Sequence, residues 1–367
     1  MDSIIRYMAG DYDVYTELAK KVSFFREAQV SKRFLAILEE MFTPEEAYIC
    51  LELFEPATCQ ELAKRLNTDE KSLQATLDSL VDRGMIYNGK TQYGFSSSLH
   101  HDVVADTGVH TGPHAISQKV KDLWADYFRN EAPEKFVNMI PKPGEIRRGP
   151  MIWPAIKALE LSPNILPEQI LPEENWKLRI ENAKRRIIAP CGCRIVWGVC
   201  NHPLETCFAN FDNPRGEYFL GKPGRLLREI SLEETMQIVY AAEEDGLVHW
   251  GQCYCCSCCC ENLFPITKTK RFDLMAPNRF LAVVNEELCK GCQTCVERCP
   301  FEAIEMRQIA NSKKLKADIN SDKCKGCGLC IVGCKQKAIR YEIVRPPEYL
   351  LARNEIEISN WGFYDLK

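Results

Sequence analysis

Long apolar runs are missing from this chain. No stretch of its 367 residues approaches the ~18 consecutive apolar positions of a membrane span. The opening, MDSIIRYMAGDYDVYTELAKK, places acids and tyrosines where a secretory leader has a basic stretch and an apolar block. An excess of one charge is also absent. Lys and Arg number 47 against 51 Asp and Glu, a net charge of −4, so the whole molecule has no general attraction for nucleic acid or an anionic membrane. Neither a Gly-x-Gly-x-x-Gly turn nor a phosphate-cradling loop occurs, which excludes a nucleotide or flavin bound through those motifs. These absences lead us to expect an intracellular, cytoplasmic protein.

Cysteine is scarce in the first half, where only Cys50 and Cys59 occur, and abundant afterwards. The other eighteen of the 20 lie between Cys191 and Cys334. In a reducing compartment such a distribution points to metal or redox chemistry rather than disulfides.

We expect an α+β, multidomain chain: a helical unit over 1–98, a connecting region with short helices over 99–186, a Cys-rich domain of helical and irregular structure over 187–275, a module over 276–346, and a tail over 347–367. In the first unit, apolar residues recur at helical spacing through VYTELAKKVSFF and FLAILEEMF. Thr43-Pro44 opens a further helix, Thr58 and Glu61 write a capping box, and Thr68 caps a helix ending at Gly84 with Leu73, Leu77, Leu80 and Val81 on one face. Asn88-Gly89 then turns a short hairpin. Over 43–98 this pattern resembles a winged helix-turn-helix. The helix that would read DNA carries Asp69, Glu70, Asp78 and Asp82 against Lys71 and Arg83. Phosphate contacts need a basic face, so docking or packing is favoured over nucleic acid. In the connecting region His100, His101, His110 and His114 are read as members of a polar loop, and the Pro-rich text after them as irregular connections. Farther on, Ser231 and Glu234 write another capping box for a helix ending at Gly246.

The strongest pattern is an internal repeat. CKGCQTCVERCP carries Cys289, Cys292, Cys295 and Cys299; CKGCGLCIVGCK carries Cys324, Cys327, Cys330 and Cys334. Both read C-x2-C-x2-C-x3-C, and both resemble the ligand runs of bacterial two-cluster ferredoxins. That resemblance implies two [4Fe–4S] clusters with exchanged fourth ligands: Cys289, Cys292 and Cys295 with Cys334, and Cys324, Cys327 and Cys330 with Cys299. AIEMRQI and KLKADI are expected to form a hairpin, with AIRYEI mirroring AIEM. Gly291, Gly326 and Gly328 are expected to let amides approach the sulfurs, and Val283, Val284, Ile304, Ile331, Val332 and Ile339 to exclude water. Zinc prefers two C-x2-C pairs and fits this spacing poorly. The first repeat ends Cys-Pro and the second Cys334-Lys335. A lysine there favours the more negative reduced state, so the cluster held by Cys334 is expected to be the easier to reduce.

A second group is less regular. CGCR (Cys191, Cys193) leads to Cys200 and Cys207, and CYCCSCCC supplies Cys253, Cys255, Cys256, Cys258, Cys259 and Cys260. Further iron–sulfur clusters, with Cys191, Cys193, Cys200 and Cys207 holding one, compete with structural zinc and a thiol redox site. Adjacent cysteines point apart, so the octapeptide is expected to divide between sites. His249 is expected to be an ordinary buried or capping histidine, with donation to a cluster as the alternative.

From about 187 to 340 the text also resembles anaerobe proteins described as ferredoxins or 4Fe–4S-binding proteins, through CGCRIVWGVCNHPLETCF, GLVHW, CCSCCC and APNRFLAVVNEELCKGCQTCVERCPFEAI. The resemblance implies electron transfer as a subunit or partner of an anaerobic oxidoreductase, since two-electron chemistry would need a partner enzyme. An iron–sulfur DNA-binding regulator and a reductase with an unusual catalytic cluster within 187–260 are the alternatives. Residues 285–345 hold about twelve basic and eight acidic side chains, which suits a redox partner with an acidic face.

Overall fold

The computed structural model describes residues 13–22, 31–88, 91–95, 115–139, 151–208, 220–221, 224, 226–308 and 314–350. The four clustered histidines, Gly89, the Pro-rich stretch 140–150 and the tail beyond 350 lie outside the described residues.

The N-terminal unit is helical because its caps and apolar stripes agree. Helices α1 (Val14–Lys21) and α2 (Lys32–Met41) precede α3 (Pro44–Glu52), α4 (Cys59–Leu66) and α5 (Glu70–Asp82). The expected box at Thr58 and Glu61 forms, and Thr43 forms a second with Glu46. The cap of α5 is Asp69, whose carboxylate accepts from Ser72 N–H, not Thr68: a carboxylate at a helix N-terminus also meets the helix dipole. Leu73, Leu77, Leu80 and Val81 are buried. Gly84 N–H to Val81 O and Met85 N–H to Leu80 O close the helix in a Schellman pair, with Gly84 at φ 74°. The hairpin β1 (Tyr87–Asn88) and β2 (Tyr93–Gly94) pairs Asn88 with Tyr93, so Asn88 belongs to the strand and the connection is residues 89–92 rather than a two-residue Asn-Gly turn.

Helix α6 (Gln118–Asn130) joins this unit to the Cys-rich domain. Trp124, Tyr127 and Phe128 are buried on it; Phe34 of α2 packs 5.5 Å from Tyr127, and Trp197 packs 5.5 Å from Phe128. One apolar core therefore runs from Leu18 to Cys259. Next come α7 (Ala132–Met139), α8 (Ile156–Glu160) and α9 (Trp176–Asn182).

The Cys-rich domain departs from the helical and irregular expectation. It is built on a five-stranded antiparallel sheet in the order β5-β3-β4-β7-β6: β3 (Ile187–Pro190), β4 (Glu205–Phe208), β5 (Arg228–Glu229), β6 (Val248–Trp250) and β7 (Cys253–Cys255). Strands of two to four residues are too short to write an alternating pattern into the sequence. Helices α10 (Gly192–Trp197), α11 (Leu232–Asp245) and α12 (Leu263–Thr269) pack around it. Half of the expected box on α11 forms. Ser231 accepts from Glu234 N–H, while the Glu234 carboxylate pairs with Arg228 instead.

The C-terminal module repeats itself at an offset of 35 residues. β8 (Phe280–Val284) pairs with β11 (Ile339–Ile343), and β9 (Ile304–Gln308) with β10 (Leu315–Ile319), all antiparallel. Helices α13 (Thr294–Glu297) and α14 (Leu329–Val332) occupy equivalent places. Asn285 N–H donates to Ala338 O, and Asn320 N–H to Ala303 O. The expected hairpin between AIEMRQI and KLKADI is thus one half of a pseudo-twofold pair.

Candidate metal centres

In the C-terminal module each repeat wraps its first three cysteines in a tight loop. The turns need positive φ at Gly291 (71°), Gln293 (67°), Gly326 (76°) and Gly328 (81°). The glycines also allow close packing. A Cβ on Gly291 would overlap Leu315 O, one on Gly326 would overlap Asn278, and one on Gly328 would overlap Tyr341 Oη and Ala158 Cβ. Amides reach sulfur in both repeats: Ala303 N–H to Cys299 Sγ (3.4 Å) and Ala338 N–H to Cys334 Sγ (3.3 Å), again 35 residues apart, and within the loops the Thr294 amide to Cys292 and the Leu329 amide to Cys327.

Cys289, Cys292 and Cys295 line one pocket with Cys334 of the other repeat. The second quartet is deeper. Burial pushes the Cys330 thiol up, and the thiolates of Cys327, Cys324, Cys299 and Cys295 push it further. Four of these five residues are the other expected quartet, Cys324, Cys327 and Cys330 with their crossed partner Cys299; the fifth, Cys295, belongs to the neighbouring site, so the two sites adjoin. Ile304, Ile331 and Ile339 are buried around them, and Val283, Val284 and Val332 are half-buried. Cys292 is exposed, so the first site reaches the surface.

Those four-thiol surroundings, with backbone amides donating to the sulfurs, fit an iron–sulfur cube. Residues 288–338 match the family model of the 4Fe–4S dicluster domain. The dicluster domain therefore covers both repeats and binds 4Fe–4S clusters. Upstream of it, the Cys-rich region adds a further thiol-lined centre.

The ten upstream cysteines fall into two sets. Cys200, Cys256, Cys258 and Cys259 place their Sγ atoms within 4.8 Å of one another. Cys200 and Cys259 are 3.5 Å apart, and Cys258 and Cys259 3.8 Å. The others gather around the sheet. Cys253 and Cys255 share one face of β7, Cys207 of β4 lies 3.2 Å from Cys253, and Cys191, Cys193 and Cys260 complete the set. The expected grouping of Cys191, Cys193, Cys200 and Cys207 therefore does not form, because Cys200 joins the octapeptide. Cys255 and Cys256 do part, as do Cys259 and Cys260. Cys258 and Cys259 stay together, against the expectation that neighbours diverge. The chain turns there, closed by Cys260 N–H to Cys256 O (3.2 Å), and a turn brings successive side chains around one centre.

Arg194, the last letter of CGCR, had no role assigned from sequence. It is buried between the two sets, donating to Pro203 O, Thr206 Oγ1 and Tyr254 O. One thiol in each set is drawn down toward thiolate: Cys191, by hydrogen bonding to Cys193 and then the Arg194 charge, and Cys256, by Cys258 and Cys259 and then Arg194. The signal was legible as the one cation inside the Cys-rich motif.

His249 takes the ordinary buried role. Its ring stacks 4.8 Å from Tyr254 and lies tilted 4.5 Å from Trp176, and Nε2 bonds to Gly251 O at 3.2 Å. Burial lowers its pKa to about 3, so it stays neutral.

Glu243 joins the Cys-rich domain to the dicluster domain, and sequence reasoning missed it. Its carboxylate accepts from Ile156 N–H and Lys157 N–H, both 2.8 Å, at the start of α8, and from Tyr254 Oη at 3.2 Å. Burial raises its pKa to about 7. Arg298, between the two cluster sites, donates to Glu243 O, Glu244 O and Leu329 O at 2.8–2.9 Å. Its repeat equivalent is Gly333, where a Cβ would strike the Arg298 side chain. The repeat breaks its symmetry at the point where it docks.

Proposed function

We propose that this protein is an electron-transfer component that serves an anaerobic oxidoreductase as subunit or partner, passing single electrons between the Cys-rich centre and the exposed edge of the dicluster domain. Each bound 4Fe–4S cluster supplies a one-electron redox step. The chain's own residues set the order. Ala155 N–H bonds to Cys327 O, and Arg298 and Glu243 tie α11, α8 and α14 together, which brings the buried quartet against the Cys-rich domain. The exposed Cys292, flanked by Lys290 and by Leu288 at 47% exposure, gives the other quartet access to a docked carrier. The observation that carries this reading is the paired repeat with its crossed fourth cysteines and one exposed end.

The N-terminal unit, winged-helix-like in its three helices and hairpin, is assigned a packing or docking role. Exposed Asp69, Glu70, Asp78 and Asp82 do not favour nucleic acid, and no helix among the described residues is long and apolar enough to cross a membrane. A specific observation favours the reductase alternative as a second reading. Six sulfurs surround the sheet, two more than one cube requires, which suits a centre with substrate-transforming chemistry.

Stopped-flow reduction of anaerobically prepared protein by an acidic ferredoxin-type carrier tests the main reading. Lys290→Glu should slow the bimolecular step several-fold while leaving the cluster spectra unchanged. An unaltered rate across ionic strengths would remove this edge as the docking point.

A further inference from the structure

The geometry points to a mononuclear metal site formed by Cys200, Cys256, Cys258 and Cys259, which takes one thiophilic divalent ion, zinc or ferrous iron, beside the wider six-thiol set. The inference stands apart from the electron-relay reading and holds whichever way electrons run. Its basis is a distance. Four thiolates around one ion at about 2.3 Å lie at the corners of a tetrahedron with edges of about 3.8 Å. Thiolates on the four irons of a cube point away from its centre and stand farther apart. Here every Sγ pair lies within 4.8 Å, with 3.5 Å and 3.8 Å for the two closest-defined pairs.

The same chain supplies the contrast. Among the described residues no other group of three or more Cys, His, Asp or Glu side chains draws its ligand atoms so tightly together, the dicluster quartets included. Cys289, Cys292, Cys295 and Cys334 stand back around a pocket; the Cys200 set closes in.

Local structure explains how four sulfurs converge. The turn at 256–260 delivers three of them. The fourth arrives because α10 stops at Gly198, whose φ of 57° turns the chain so that Cys200 faces the turn. Cys256 and Cys259 are buried; Cys200 and Cys258 are half-buried, leaving an entry side. Four thiolates and a divalent ion carry a net charge of −2, which the guanidinium of Arg194, buried beside Cys256, partly offsets. No fifth position is open in a closed four-thiolate set, so the ion is structural. It clamps the end of α10 to the end of β7, and both segments carry cysteines of the six-thiol set.

The test uses the full chain purified without oxygen. Iron, zinc and acid-labile sulfide are counted in the wild type, Cys200→Ser and Cys258→Ser. Each variant should lose about one metal per chain with sulfide unchanged and the dithionite-reduced paramagnetic signal intact. The element lost identifies the ion. Cys258→His, which keeps a donor zinc accepts, should restore the metal. Cobalt(II) exchange into the wild type, which needs no variant, should give the intense visible bands of tetrahedral cobalt thiolate. Loss of about four irons together with four sulfides, or full metal retention in both serine variants, or absence of the cobalt bands, would overturn the assignment.

Discussion

Glu243 offers a quantitative test of how the two halves are joined. Its carboxyl is fully buried, and burial raises its pKa from 4.5 to about 7. A raised carboxyl pKa stabilises the fold at low pH, and that stabilisation is lost as pH rises from the unfolded value toward the folded one. With these two values the loss is about 2 kcal/mol at pH 6 and about 3 kcal/mol at pH 8, a further ~1 kcal/mol across that interval. Glu243→Gln removes the titration while keeping one acceptor for the start of α8. The assay is hydrogen–deuterium exchange of a peptide spanning Ile156 and Lys157, whose amides the carboxylate holds, corrected for the pH dependence of intrinsic exchange. Wild-type protection should fall by about tenfold from pH 6 to pH 8 relative to the variant. Neutral His249, with a pKa lowered to about 3, changes stability on the acid side, but it is present in both proteins and cancels in the difference. Equal slopes in wild type and variant, or a wild type that gains protection as pH rises, would refute the argument.

Three further perturbations probe the same architecture. His249→Phe keeps the ring stack on Tyr254 and removes a base that must stay neutral, so the wild type should lose stability as pH falls from 6.5 toward 3 while the variant shows a flatter acid limb in denaturant titrations. Gly328→Ala forces a side chain into φ 81° and against Tyr341 and Ala158; a loss of at least ~2 kcal/mol should appear as a lowered thermal midpoint, and an unchanged midpoint would contradict the close approach of α8 to α14. Lys335→Pro should lower the reduction potential of the cluster held by Cys334. Because Lys335 is exposed, screening keeps the shift to a few tens of millivolts, and a potentiometric titration with no downward change would dismiss the lysine as a cause.

What the sequence disclosed depended on how local the information was. The repeat spells its cysteines, turns and strands within about 45 residues, so spacing alone located both halves. Caps at Thr58 and Glu61, and the apolar stripe of α5, were legible for the same reason. Glu243 was not: its partners lie 87 and 86 residues earlier, and nothing about an acid near the end of an acidic helix marks it as buried. Arg298 was hidden by the repeat itself, because it reads as one of many charged residues until Gly333 is seen to make room for it.

The octapeptide shows where the boundary falls. Its first part continues a strand, so Cys253 and Cys255 face one way and Tyr254 the other, toward His249 and Glu243. Its second part is a turn, which gathers Cys256, Cys258 and Cys259 around one point. The two thiol sets therefore divide first between strand and turn, at Cys255-Cys256, and again where the turn ends, at Cys259-Cys260, which returns Cys260 to the first set. Composition records only that six sulfurs are close in sequence. The change of backbone direction decides which of them meet, and that change is imposed by β4 and β6 pairing on either side of β7. A variant that lengthened β7 by one residue would move the sulfurs after the insertion to the opposite face and should abolish both thiol sets at once, whereas single serine substitutions should deplete one set and spare the other.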